Sequence, residues 1–224
     1  MSRNQKILMT VLWALLVLSM ISVIGAGLWA NRDRTGGNDH GSDVAKVESQ
    51  PQPAGVGLPV LYPSPAFALI DQNGNPMTER DLAGNVWIAD FVFTHCGGPC
   101  PMMTAHLAKL SKQIEHPGVK FVSFTVDPQR DTPEVLREYA GRYDADHARW
   151  HLLTGQKKDL YDVAAGMKIT AKPATDDAPI IHSEKFVLID GSGQIRGYYD
   201  GNDAEALKRV AADAMALARA GAKP

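Results

Sequence analysis

The stretch VWIADFVFTHCGGPCP, residues 86–101, decides the fold of this 224-residue chain and holds both of its cysteines. Its first half, residues 86–93, is nearly all apolar and β-prone, which predicts a central strand buried on both faces. Cys96 and Cys100 come next, and residues 101–115 then repeat leucine and isoleucine at helical spacing. We therefore expect both thiols where a buried strand gives way to the N-terminus of a helix.

Strand-like and helix-like segments alternate along the rest of the domain. The predicted strands lie at 66–71, 86–93, 119–126, 150–153, 184–190 and 194–199, and the predicted helical segments at 78–82, 101–115, 132–143, 157–166 and 203–220. This alternation indicates a mostly parallel sheet covered on both sides, with the last two strands adding an antiparallel edge. The expected fold class is α/β and thioredoxin-like, with an N-terminal hairpin addition.

The N-terminal segment at residues 7–30 contains no charged residue and is mostly apolar. A helix of that length, rising ~1.5 Å per residue, can cross a ~30 Å hydrocarbon layer. We expect a single uncleaved transmembrane helix in the cytoplasmic (inner) membrane, with residues 1–6 in the cytoplasm; a cleaved signal peptide is the alternative. A flexible linker at 31–65 should then lead to a periplasmic, extracytoplasmic domain at 66–221.

The composition excludes some classes of partner and scaffold. The formal net charge is −2 and the chain has no basic run, so we expect no binding to nucleic acid. Two cysteines in an exported domain permit one disulfide, but they cannot form the dense disulfide framework of a small secreted protein. The domain is long enough to be stabilised by a hydrophobic core instead.

The spacing of Cys96 and Cys100 leaves three interpretations open: a structural disulfide, a redox-active dithiol or a site for a soft metal ion. A helix N-terminus stabilises thiolates in each case, because its backbone N–H groups and dipole favour negative charge. A helix that began within the Gly97–Pro99 spacer would place both cysteines on one face. Structural zinc and iron–sulfur sites usually need four ligands, so copper(I) suits two thiolates and one further ligand best.

A third ligand is expected from one of the seven histidines. In a thioredoxin-like topology, the loop that enters the strand at 184–190 lies beside the helix N-terminus with the cysteines, and His182 is in that loop. His95 adjoins Cys96, but neighbouring side chains at a strand end diverge, and His106 points to another side of its helix. The remaining histidines are His40, His116, His147 and His151.

Two sequence motifs together resemble those of the Sco/SenC copper chaperones. Residues 93–101 match the pattern F-T-x-C-x-x-x-C-P, and residues 126–133 match V-D-P-x-R-D-T-P. His182 before an apolar strand and the single N-terminal membrane helix complete the resemblance, which covers residues 65–220. The chain departs from the family in its Gly-Gly-Pro cysteine spacer, where relatives often have an acidic residue, and in lacking the usual Asp-Tyr before the histidine.

The resemblance implies a thioredoxin-like domain that binds one copper ion, as Cu(I) or Cu(II), through Cys96, Cys100 and His182. It also implies copper delivery by thiolate ligand exchange to the dinuclear copper centre of cytochrome c oxidase subunit II. An exported thiol reductant and a copper donor would be further partners. The alternative is a membrane-tethered thiol–disulfide oxidoreductase that acts on the oxidase subunit's cysteines through the redox-active pair.

Four further residues near these motifs have expected roles. Asp127 is expected to begin a turn rather than to bind the metal, with Asp131 either pairing with Arg130 or capping the next helix. Met102 and Met103 point about 100° apart on a helix, so at most one can face the metal. We expect them to pack or to line a surface for a partner.

Overall fold

The computed structural model describes residues 57–98, 100–173 and 180–221. The predicted membrane helix at 7–30, the residues before it and most of the linker predicted at 31–65 lie outside these ranges. Within the described part of the chain, no helix is both long and apolar enough to cross a membrane.

The elements follow the predicted order with small differences at their ends. The strands are β1 (Tyr62–Pro63), β2 (Ala68–Asp71), β3 (Pro76–Thr78), β4 (Val86–Val92), β5 (Val119–Thr125), β6 (Trp150–Thr154), β7 (Ala171–Lys172), β8 (Ile181–His182), β9 (Lys185–Ile189) and β10 (Gln194–Asp200). The helices are α1 (Cys100–Gln113), α2 (Pro133–Arg142), α3 (Lys157–Gly166) and α4 (Ala204–Gly221), and a 3-10 turn spans Glu79–Leu82. Strands β1, β7 and β8 were not predicted from the sequence, and β3 was expected only as the second strand of the N-terminal hairpin.

Local signals explain why α2 begins where the sequence predicts. Thr132 has extended backbone dihedrals, and its hydroxyl accepts a hydrogen bond from the Val135 N–H at 3.4 Å. Pro133 occupies the first helical position, where its missing N–H costs nothing. Glu134 adds negative charge beside the positive end of the helix dipole. The motif at 126–133 therefore ends in a helix N-terminus.

The main sheet has the strand order β1-β10-β9-β4-β5-β6-β2-β3. Only the β4–β5 and β5–β6 pairs are parallel, and the other pairs in this sheet are antiparallel. The expectation of a mostly parallel sheet is therefore wrong. Helices α1 and α2 return the chain to the same end of the sheet, as parallel pairing requires. After β6 the chain passes through α3 and the small β7–β8 sheet, and it enters β9 from the opposite end.

The N-terminal edge of the sheet lies within the predicted linker. Tyr62–Pro63 pairs with β10, and the Leu61 N–H donates to the carbonyl of Ile195 at 2.9 Å. The Arg196 guanidinium also donates to the carbonyls of Leu58 and Pro59. The folded domain therefore includes residues before the predicted boundary at 66.

The core has two layers, one on each side of the sheet, as predicted. Helices α1, α2 and α4 cover one face. Helix α3 packs on the other face, and Leu69 and Met77 from the β2–β3 edge of the sheet belong to the same layer. Every residue of β4 is buried, and its side chains alternate between the two layers. Val86 and Ile88 belong to the α1 layer, while Trp87, Ala89 and Phe91 belong to the α3 layer. Strand β4 is thus a rigid base for the loop that follows it.

Candidate metal centre

The two cysteines occupy different environments at the end of β4. Helix α1 begins at Cys100, whose side chain is fully buried, whereas Cys96 lies half-buried in the preceding loop. The cysteines therefore do not share a helix face. The Cys96 N–H donates to the carbonyl of Phe93 at 3.3 Å, and the Gly98 N–H donates to the Cys96 sulfur at 3.4 Å. The loop itself turns Cys96 back towards the helix, and both thiols are free.

His182 is brought to this loop by the small second sheet. It lies on β8, where it pairs with Ala171 of β7. Its Nε2 atom lies 2.8 Å from the Cys100 sulfur. One ligand atom each from Cys96, Cys100 and His182 lie within 4.8 Å of one another, which is close enough for all three to hold one ion. The structure therefore brings together the three residues that the sequence analysis selected.

The surroundings of His182 favour a neutral imidazole with Nε2 free to bind a metal. Nδ1 lies 3.2 Å from the carbonyl of Ser183, which can only accept, so Nδ1 bears the hydrogen. Burial lowers the pKa of His182, while the Ser183 carbonyl and the Glu184 charge oppose that shift. The Phe93 ring packs edge-on against the imidazole with centroids 5.7 Å apart. Phe93 and Ser183 thus orient the ring towards the sulfurs.

Three other histidines in the described ranges are held elsewhere. His106 Nδ1 lies 2.7 Å from the carbonyl of Gly201, and His116 Nδ1 accepts from the Gly118 N–H at 3.1 Å. His147 contacts Gln72. His40 lies outside the described residues. Among those described, Cys96, Cys100 and His182 are the only histidine, cysteine and acidic groups close enough to hold an ion together.

Comparison with known protein families agrees with this geometry. A model of the SCO1/SenC family matches residues 62–218. This chain belongs to the SCO1/SenC family. The SCO1 protein homolog of Bacillus subtilis (strain 168) is 34% identical over 148 residues, which cover 64% of this chain and 76% of the relative.

Solved structures of SCO1/SenC proteins share the fold. BsSco, described as a member of the Sco family of cytochrome c oxidase assembly proteins, is 30% identical with a TM-score of 0.65, covering 72% of this chain and 96% of BsSco. Copper-bound ScoI of Arabidopsis thaliana is 28% identical with a TM-score of 0.58, covering 66% of this chain and 95% of ScoI. Such relatives establish a mixed α/β, thioredoxin-like Sco fold, and together with the Cys–Cys–His group they support the predicted copper cofactor.

The buried thiol of this SCO1/SenC domain is strongly protonated before a metal binds. Burial raises the pKa of Cys100, and the neighbouring Cys96 and the charge of Asp90 raise it further. Binding of a metal ion at Cys100 therefore requires loss of the thiol proton. A soft cation brings this about because, at neutral pH, it binds the thiolate more strongly than a proton does. Metal binding at this site should release protons.

Asp90 is a site feature that the sequence analysis did not select. It is fully buried on β4, and neither carboxylate oxygen has a hydrogen-bond partner among the described residues. Burial raises the pKa of Asp90 to about 7, an effect that the nearby Ser123 hydroxyl opposes only in part. By strand alternation Asp90 faces the α1 layer, on the side of Cys100. The sequence signal that could have identified Asp90 is its position as a charged residue within the otherwise apolar run at 86–93.

Asp131 has a different role from the two that the sequence predicted. It is fully buried, and it accepts hydrogen bonds from the Thr94 N–H at 3.2 Å, the Thr94 hydroxyl at 2.6 Å and the Thr125 hydroxyl at 2.5 Å. It neither pairs with Arg130 nor caps α2, where Thr132 is the N-cap. Because Thr94 lies two residues before Cys96, Asp131 joins the second family motif to the cysteine loop.

Asp127 and the two methionines largely follow expectation. The carbonyl of Asp127 accepts from the Arg130 N–H at 3.1 Å, and its carboxylate lies 3.6 Å from the Arg130 guanidinium, so the residue forms a turn. Met103 is fully buried in the α1 layer, whereas Met102 is 52% exposed. Ile181, next to His182, is 48% exposed. Two apolar side chains within two residues of the metal-binding residues in sequence are thus open to a partner.

Proposed function

We propose that this protein is a copper chaperone that delivers copper to the dinuclear copper centre of cytochrome c oxidase subunit II. The observation that carries the proposal is the convergence of two thiols and one imidazole, with His182 Nε2 2.8 Å from the Cys100 sulfur. The family's copper-bound members and the oxidase-assembly role stated for BsSco support it. The segment at 7–30 would hold the domain at the periplasmic side of the inner membrane.

The donor set matches copper in both charge and softness. Thiolates select soft ions, and imidazole is a good ligand for copper in either oxidation state. Cys96 and Cys100 would bind as thiolates and His182 as neutral imidazole, which gives one negative charge with Cu(I) and none with Cu(II). Because both thiols release protons on binding, apparent copper affinity should rise with pH.

The unequal burial of the ligands sets an order for transfer. Cys96 lies half-buried in a loop whose neighbours Gly97 and Gly98 are exposed, whereas Cys100 is fully buried. A thiolate of subunit II can therefore reach the ion on the Cys96 side first, forming a new copper–sulfur bond as the Cys96 bond breaks. Cys100 and His182 would be displaced afterwards. This exchange needs no free copper and no change in oxidation state.

The proposal requires two further partners. Oxidation of Cys96 and Cys100 to a disulfide would remove both thiolates, so an exported thiol reductant must keep the pair reduced. A copper donor must load the site. Exposed Met102 and Ile181 offer apolar contact area beside the site for a docking protein.

A thiol–disulfide oxidoreductase is the second candidate, because the two sulfurs are free and close together. In that role Cys96, which is the more exposed sulfur and accepts the Gly98 N–H, would attack a disulfide, and Cys100 would resolve the mixed disulfide. The high pKa of Cys100 disfavours the resolving step at neutral pH. The burial of Cys100 therefore favours copper binding over thiol–disulfide exchange.

A competition titration tests the proposal. The reduced full-length protein, purified in detergent, is titrated with copper(I) against a chelator of known affinity. We expect Cys96→Ser, Cys100→Ser and His182→Ala each to weaken binding by more than the ~10–100-fold that loss of an outer-shell partner costs. His116→Ala, at the far end of α1, is the matched control and should bind as the wild type does. Wild-type affinity in His182→Ala would overturn the proposed site.

A transfer assay separates the two candidate functions. Copper(I)-loaded protein is mixed with the reduced, copper-free soluble domain of subunit II, and the copper content of each is measured after separation. Transfer that is faster than from the chelator alone supports a chaperone. If no copper moves, while the protein rapidly reduces a disulfide in oxidised subunit II, the oxidoreductase function replaces the chaperone.

A further inference from the structure

A hydrogen-bonded chain runs from the buried Asp131 to the exposed surface at His95. The Thr94 hydroxyl lies 2.6 Å from Asp131 Oδ1 and 3.0 Å from His95 Nδ1. The Thr94 N–H and the Thr125 hydroxyl also donate to Asp131, so the carboxylate is held from three directions. Thr94 is therefore fixed in place between a buried anion and an exposed imidazole.

Which group donates in each of these two hydrogen bonds follows from the hydrogens available. A carboxylate only accepts, so the single hydrogen of the Thr94 hydroxyl points to Asp131. The Thr94 oxygen must then accept from His95, which places the ring hydrogen on Nδ1. In the neutral ring, Nε2 is left with a free lone pair. Carboxylates orient metal-binding histidines in the same way in known sites, directly or through an intermediary.

His95 is an exposed residue next to Cys96, and it does not belong to the group formed by Cys96, Cys100 and His182. Its Nε2 has no hydrogen-bond partner among the described residues, so a copper ion at the surface can reach it. These hydrogen bonds from Asp131 through Thr94 to His95, here called the relay, thus orient a nitrogen donor outside the main site and next in sequence to the more exposed of the two cysteines.

We propose that His95 is an outer copper donor that captures the ion before Cys96, Cys100 and His182 bind it. Asp131 and Thr94 act as positioning residues, because they set the tautomer and the orientation of the His95 ring. This inference rests on the proposed chaperone function and adds an entry step to it. A bond from copper to His95 Nε2 forms as a bond to the donor breaks, and Cys96 then replaces the donor. The oxidation state is unchanged, and the thiol protons pass to solvent.

Loading kinetics distinguish an entry donor from a resident ligand. Full-length reduced protein is mixed rapidly with a copper(I)–chelator complex, and both the loading rate and the equilibrium affinity are measured. We expect His95→Ala to slow loading roughly tenfold, the lower range for outer groups of metal sites, while the affinity changes much less. His116→Ala is the matched histidine control and should load at the wild-type rate.

Thr94 provides an isosteric test of the relay. Thr94→Val keeps the shape but removes the hydroxyl, whereas Thr94→Ser keeps the hydroxyl. We expect Thr94→Val to load slowly and Thr94→Ser to load normally. Two-bond 1H–15N correlation spectra of histidine-labelled protein report the tautomer directly. His95 should carry its hydrogen on Nδ1 in the wild type and in Thr94→Ser, and should populate the Nε2–H form in Thr94→Val and Asp131→Asn.

Four outcomes would overturn this inference. Loading of His95→Ala at the wild-type rate would exclude an entry donor, even if the wild type binds copper tightly and the proposed function stands. An equal loss of rate and affinity would make His95 a resident ligand instead. An unchanged tautomer in Thr94→Val would remove the relay. If the wild type takes up no copper(I), the proposed function and this inference fail together.

Discussion

The two regions that meet at the metal centre are built very differently. The cysteine loop continues directly from β4, in which every residue is buried, and Asp131 holds it through Thr94. His182 instead lies on β8, which consists of Ile181–His182 and, among the described strands, pairs only with Ala171–Lys172. A pairing this short is marginal by itself, so the packing of Phe93 against His182 must help to place the ring. The cysteines are positioned by the core, and the histidine by a few contacts.

The largest expected effect concerns the buried acid in the strand that supports the cysteines. The folded-state pKa of Asp90 is about 7, well above its unfolded value near 3.8. Stability from this group is therefore full below about pH 4 and is lost as the pH rises to about 7, by roughly 4 kcal/mol in all. Asp90→Asn should flatten this part of the pH profile. Urea unfolding of the wild type and Asp90→Asn between pH 4 and pH 8 measures this pH dependence. Parallel profiles for the two proteins would contradict a raised pKa for Asp90.

The next effect tests how firmly the cysteine loop is held. Asp131→Ala removes one carboxylate and leaves buried donors of Thr94 and Thr125 without an acceptor. We expect the free energy of unfolding to fall by about 3 kcal/mol. Asp213→Ala is a useful comparison, because in the described part of the chain that buried carboxylate accepts a hydrogen bond only from the Tyr199 hydroxyl, so its loss should cost less. If urea unfolding gives equal losses of unfolding free energy for the two variants, the additional hydrogen bonds to Asp131 do not stabilise the loop.

A smaller effect is expected where His182 is held. Phe93→Ala removes the ring that packs against the imidazole, so the histidine should be placed less well. We expect copper(I) affinity to fall about tenfold, as for other groups that orient a ligand. Phe93→Leu, which retains apolar bulk, should recover part of the affinity. Competition titration measures both variants, and an unchanged affinity in Phe93→Ala would show that β8 pairing and the Ser183 carbonyl place the ring without Phe93.

The smallest effect is expected within the cysteine spacer. A Cβ atom added at Gly97 meets no other atom within 4 Å, and the backbone there does not need a positive φ. Gly97→Ala should therefore change both the unfolding free energy and the copper affinity very little, within about 0.5 kcal/mol. Urea unfolding and copper titration check this. A large loss of copper affinity without a loss of unfolding free energy would mean that the spacer must change conformation when copper binds.

Much of the fold could be predicted because its signals are local. Apolar runs mark β4 and β5, and Thr132 with Pro133 marks the start of α2. The direction of pairing could not be predicted in the same way. Strand β9 is as apolar as a parallel strand, and only its approach from the β7–β8 sheet makes it antiparallel to β4. Short strands such as β1 carry too few residues to show a period.

The residues of the site likewise include some that the sequence could identify and some that it could not. Cys96 and Cys100 could be identified from spacing, and His182 from the expected topology. The roles of Asp90 and Asp131 could not, because the same residue type is a buried acid or a turn residue according to what packs around it. Asp131 lies 37 positions from Thr94 in sequence, so no local pattern could show that they are bonded.

By itself, the amino-acid sequence determined the kinds of atom available for chemistry: two sulfurs four residues apart at the end of an apolar strand, and a small choice of imidazoles. Tertiary structure alone decided that His182 Nε2 lies 2.8 Å from the Cys100 sulfur, that Asp90 is buried with no hydrogen-bond partner among the described residues and that Asp131 reaches Thr94. The physical reason is the distance along the sequence over which each kind of interaction acts. Strand and helix propensities act over a few residues, whereas metal-site geometry and pKa depend on groups that only packing brings together.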